Sequence, residues 1–98
     1  MLKIDRRPGE KLRLRGKVYG TLTIQLCNGE MRSIYNTSVV ARLELKNMAQ
    51  VFIPVYDDKW TKFSDIELRQ NGDGVTILIH SSPDELQVLR AELISRGE

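Results

Sequence analysis

Four cations crowd one tight turn near the start of this chain. Arg6, Arg7, Lys11 and Arg13 flank Pro8-Gly9 in the run Arg6-Arg7-Pro8-Gly9-Glu10-Lys11-Leu12-Arg13. Guanidinium and ammonium groups on a rigid support suit phosphate, because arginine donates a fork of hydrogen bonds and lysine a compact charge. Pro8 presets φ at the second position of a turn, and Gly9 accepts the positive φ that follows in type II. Leu2 and Ile4 alternate with Lys3 and Asp5 before the turn, and Leu12 and Leu14 alternate with Lys11, Arg13 and Arg15 after it. Alternation of period two separates an apolar face from a charged one. The reading is a strand-turn-strand hairpin with a cationic tip.

Charge is distributed unevenly. Residues 1–20 carry net +5 and the remainder −3, giving +2 overall. A basic patch on a neutral-to-acidic body points to an anionic partner, RNA or another phosphate-bearing ligand, or alternatively an acidic protein surface. The competing reading is a solvated strand face whose Lys and Arg discourage edge pairing.

No set of residues makes a catalytic centre. His80 is the single histidine and sits beside Ser81 and Ser82, yet a Ser-His nucleophile system needs a third group to orient the base. One His and one Cys do not supply a zinc site. Asp57-Asp58 reads as an acidic turn, and no glycine-rich phosphate loop occurs. The expectation is a protein that is not an enzyme, with no metal and no cofactor. A lone cysteine, Cys27, fits a reducing compartment. No run of about 18 apolar residues and no apolar leader core is present, so a cytoplasmic protein without a membrane span is expected.

The elements that must hold these cations follow from pattern. Ninety-eight residues, 41% hydrophobic and 29% charged, make one domain over 1–98 with one modest core. Thr21 to Tyr35 reads as two alternating strands about an Asn28-Gly29 type I′ turn, with Leu22, Ile24, Leu26, Met31 and Tyr35 inward. Val39–Lys46 alternates with Ala41, Leu43 and Leu45 inward. Gln50–Tyr56 places Val51, Ile53 and Val55 on one face, and Pro54, lacking a donor, marks an edge or a bulge. Asp57–Lys62 is a polar loop anchored by Trp60. Ile66–Gln70 and Val75–His80 flank a second turn at Asn71-Gly72-Asp73-Gly74. Ser82-Pro83-Asp84-Glu85 reads as a capping box, Leu86, Leu89 and Leu93 as a helix face, and Gly97 as its C-cap. The predicted fold is mostly β, a β-barrel or rolled antiparallel sheet of six to seven strands with one C-terminal α-helix. Edge strands leave room for a homodimer joined strand to strand.

Met1-Leu2, Ile4, Arg6-Arg7-Pro8-Gly9-Glu10, Leu12 and Leu14 resemble the opening of the carbon storage regulator family over about fourteen residues. That resemblance implies a small β-rich homodimer that binds GGA-containing loops of messenger RNA and controls translation. It places Ile4 and Arg6 on the RNA surface, with Arg42 as a candidate for the family's later arginine. The chain departs from the pattern where the family has Ala-Pro, near Thr37-Ser38, and in about fifty further residues. Arg6, Arg7, Lys11 and Arg13 are expected to supply the phosphate contacts, and Ile4 and Tyr19 to pack on bases. Size, strand count and terminal helix are also similar to PilZ domains, which bind cyclic di-GMP. Here Arg7-Pro8-Gly9-Glu10-Lys11 stands for that family's arginine pair and Asn36-Thr37-Ser38-Val39-Val40-Ala41 for its second motif, making Arg7, Lys11, Asn36 and Ser38 an alternative nucleotide-binding set. Lys11 replaces an arginine and Ala41 a glycine. A degenerate PilZ-like module binding protein, a regulator or inhibitor of a nucleic-acid machine, is the remaining alternative.

Overall fold

Leu2–Arg6 (β1) ends at the Pro-Gly turn, and Lys11–Gly16 (β2) begins after it, but the two strands do not pair. This computed structural model describes residues 1–16, 18–80 and, as backbone, 86–90. The described chain continues through Gly20–Leu26 (β3), Gly29–Tyr35 (α1), Val39–Leu45 (β4), Gln50–Val55 (β5), Thr61–Phe63 (β6), Ile66–Asn71 (β7), Gly74–Ile79 (β8) and Leu86–Arg90 (β9). The fold is mostly β, as expected, in two antiparallel sheets ordered β1-β8-β7-β6 and β5-β4-β3-β2-β9. The described strands form no closed barrel, and β1 to β8 alone exceed the six to seven strands expected.

The turn forms, but as a corner between sheets. The Glu10 amide donates to the Arg7 carbonyl (2.9 Å), and Gly9 takes φ +90°. Gly9 then donates to the Ile24 carbonyl, and Ile24 donates back to Glu10, which commits the chain to β3. β1 instead pairs with β8, setting Leu2 opposite Ile79 and Ile4 opposite Ile77. The N-terminal hairpin is thus corrected to a crossover.

Both sheets feed one core. Ile4, Ile66, Leu68, Val75, Ile77 and Ile79 from the first meet Leu12, Leu14, Leu22, Ile24, Ala41, Leu43, Ile53 and Val55 from the second. Leu45 and Val51 pack against its margin. β5 is an edge strand, which accommodates Pro54. The turn between β7 and β8 is as read, with Asn71 opposite Gly74 and Gly72 at φ +64°.

Two elements differ from expectation. Asn28-Gly29 does not form a hairpin, because Asn28 caps α1: its side chain accepts from the Met31 amide at 2.9 Å. Asn36, left-handed at φ 56°, ends the helix by donating to the Arg32 carbonyl. β4 rather than residues 30–35 then pairs with β3, Leu26 opposite Val39. Leu26 is consequently 63% exposed instead of buried, and Met31 and Tyr35 are only half-buried. The second difference is Leu86–Arg90, expected in a C-terminal helix and found as β9 along β2, Leu12 opposite Arg90 and Gly16 opposite Leu86. Without it β2 would expose a row of unpaired amides and carbonyls, and Leu86, Val88 and Leu89 suit a strand, so pairing overrides helical spacing. The capping box and Gly97 lie outside the described residues.

Candidate anion-binding surface

Strand parity sorts the expected cations into two groups. On β1, Leu2, Ile4 and Arg6 share the core-facing side. Ile4 is 7% exposed and Arg6 also 7%. The Arg6 Nε donates to the Asp5 carbonyl at 2.8 Å, and its guanidinium lies 3.9 Å from the Glu10 carboxylate. Ile4 and Arg6 therefore belong to the interior and its corner, not to an outer face. Arg7 is exposed on the turn, its backbone amide donating to the Glu10 carboxylate at 2.6 Å.

On β2 the parity runs the other way. Leu12 and Leu14 are fully buried, so Lys11, Arg13 and Arg15 stand on the outward side of the five-stranded sheet. Register carries the row across: Lys11 faces Thr23, and Thr23 faces Arg42. The next row runs Arg13, Thr21, Glu44. Neighbouring strands sit about 4.8 Å apart and alternate residues about 6.8 Å, so Lys11 and Arg42 flank Thr23 across about 10 Å while Lys11, Arg13 and Arg15 repeat along one strand.

Among the described residues the charge on this face is poorly balanced. Arg42 reaches Glu44 at 3.2 Å. Among the described residues no ion pair or hydrogen bond engages the side chains of Lys11, Arg13 or Arg15. Three polar atoms among the described residues are shielded from solvent without a hydrogen-bond partner: Arg15 Nε, Arg42 Nε and Thr23 Oγ1. Thr23 is only 7% exposed. Unpartnered buried donors are uncommon in folded proteins and are costly where they occur. All three lie beneath the outward surface, so the groups an anion can reach on this face are the charged ends of Lys11, Arg13, Arg15 and Arg42.

Helix α1 closes one end of the face. The Gln25 amide contacts the Met31 sulfur at 3.9 Å, and Val40, beside it on the outward side, is fully buried. The Tyr56 hydroxyl donates to the Tyr35 carbonyl at 2.7 Å and ties the helix to the end of β5. At the opposite end Tyr19 is 37% exposed, with the Lys46 ammonium 5.0 Å from its ring centre. Within the alternative set of Arg7, Lys11, Asn36 and Ser38, the backbones of Lys11 and Ser38 lie apart. Lys11 faces Thr23, whereas the Ser38 carbonyl accepts from Cys27, four residues further along the chain and about 13 Å away in that direction.

Nothing in this arrangement resembles an activated nucleophile. Partial burial pushes the Cys27 thiol up from its ordinary pKa, with the positive charge of Arg32 opposing the shift. His80 lies 2.8 Å from Glu67, on the other sheet. No cluster of three metal-ligating side chains occurs among the described residues, and no described helix is long and apolar enough to cross a membrane. Arg15 and Thr23 were not among the residues singled out from sequence. Arg15 was legible from its alternation with Leu14, but Thr23 gains meaning only from register. Comparison with protein-family models, curated proteins and solved structures finds no match to this chain.

Proposed function

We propose that this chain is a non-catalytic binding module whose outward β2–β4 face takes a phosphate-bearing ligand, with RNA as the first choice and translational regulation as its use. One observation carries the reading: the Lys11–Thr23–Arg42 row, which sets two cations about 10 Å apart on one outward face. Arg13 and Arg15 extend that row along β2 and would position a polyanion without reading its sequence. Arg7, Lys11, Arg13 and Arg42 keep the ligand-facing role given by the sequence. Tyr19 borders the same end and supplies a surface for a base. The opening that resembles the carbon storage regulator family supports RNA as ligand, although Ile4 and Arg6 act there as support for the corner.

The experiment is fluorescence anisotropy with a GGA-loop RNA hairpin. The wild-type chain binds, and the Lys11→Glu/Arg13→Glu pair, both outside the core, weakens binding by at least about tenfold. Equal affinity of the two proteins removes the face from the account. Absence of RNA binding, with recovery of one stoichiometric acidic protein, replaces RNA by a protein partner.

A further inference from the structure

The outward side of the other sheet holds a cleft of about 320 Å³, lined by Lys3, Trp60, Arg69, Asn71, Thr76 and Leu78 among others. We propose that this cleft binds a nucleotide, a planar base together with its 5′-phosphate. It shares no residue with the basic face above, so the two sites stand independently.

Each wall offers a different part of that ligand a partner. Trp60 borders the cleft and keeps 39% of its surface exposed, unusual for the one Trp of so small a domain. The Arg69 guanidinium lies over the indole, and the exposed part of the ring is the stacking surface offered to a base. The Arg69 Nε donates to the Asp57 carbonyl at 3.1 Å, which fixes the guanidinium 5.9 Å from the indole centre and leaves its two terminal nitrogens for a ligand. Lys3 stands across the floor, opposite Leu78, and its ammonium has no ion pair or hydrogen bond among the described residues. β1 and β7 flank β8, so the two cations are on the order of 10 Å apart across the floor, a span that holds a base and its phosphate.

The floor fits the same ligand. Leu78 is half-buried and supplies an apolar contact. The Thr76 hydroxyl is spent on the Asp5 carboxylate at 2.8 Å. The Asn71 amide approaches Thr76 through one N–H at 3.4 Å, leaving a second N–H and a carbonyl for the polar edge of a base. A volume near 320 Å³ is at the small end of ligand sites, which limits the occupant to about one nucleotide.

Trp60 is the only tryptophan, so its fluorescence reports the cleft alone. Adenosine 5′-monophosphate quenches it saturably, and ribose 5-phosphate, which lacks a ring, does not. Adenosine, which lacks the phosphate, binds about tenfold more weakly or worse. Lys3→Ala and Arg69→Gln, both at exposed positions, each weaken quenching by the monophosphate about tenfold with an unchanged circular dichroism spectrum. A short single-stranded oligoadenylate distinguishes the source: quenching by it but not by the free nucleotide assigns the site to a residue within a strand. The Lys11→Glu/Arg13→Glu protein must quench normally, which separates failure of this site from failure of the basic face. No saturable quenching by either probe up to about 10 mM, or quenching indifferent to Lys3 and Arg69, overturns the proposal.

Discussion

Arginine performs two different tasks within the first thirteen residues, and burial separates them. Arg6 is folded into the corner with its side chain 8% exposed, bonded to the Asp5 carbonyl and close to Glu10. Its alkyl stem packs and its guanidinium satisfies the turn. Arg13, half-buried on the outward face, touches no carboxylate among the described residues. Arg6→Ala should therefore cost about 1–3 kcal/mol in urea denaturation, by removing packing and stranding backbone acceptors. Arg13→Ala should stay within about 0.5 kcal/mol and lower anion affinity instead. Equal losses of stability would show that both arginines are structural. The inward placement of Arg6 was legible: it shares parity with Leu2 and Ile4. Its charge drew attention outward, whereas a charged residue at the last inward position of a strand can serve a corner.

At the scale of elements, the basic face depends on how closely β3 and β4 approach. Gly20 faces Leu45, and a Cβ at Gly20 would collide with the Glu44 carbonyl oxygen. Glu44 is the residue that holds Arg42. Gly20→Ala must then push the strands apart, at a cost of about 2–4 kcal/mol by thermal denaturation. A change below about 0.5 kcal/mol would mean that the approach is not tight. The β2, β4, β5, β7 and β8 segments were readable because alternating Val, Leu and Ile specify both strand and face. Asn28-Gly29 misled because Asn is equally a helix cap, and the following Glu30-Met31-Arg32-Ser33-Ile34-Tyr35 does not alternate. Leu86–Arg90 misled in the other sense. Its leucines carry helical spacing, and only the bare flank of β2 makes it a strand.

For the whole molecule, two sheets share one apolar core and turn their charged sides outward in opposite directions. That geometry gives the net +5 of residues 1–20 a location. Three of its seven cations, Lys11, Arg13 and Arg15, line the outward side of β2, where Arg42 joins from β4. Composition revealed the asymmetry, but not which sheet would receive it, because β1 and β2 diverge at a turn that looks like a hairpin. β1, β5 and β6 are edge strands of the two sheets among the described residues.

The most direct test of the basic face is the salt dependence of RNA binding. Phosphate neutralisation releases counterions, so four contacts from Lys11, Arg13, Arg15 and Arg42 predict a log–log slope of about −3 on a single strand, reduced by about 0.7 in Arg13→Ala. A slope near zero, or one that Arg13→Ala leaves unchanged, would contradict the account.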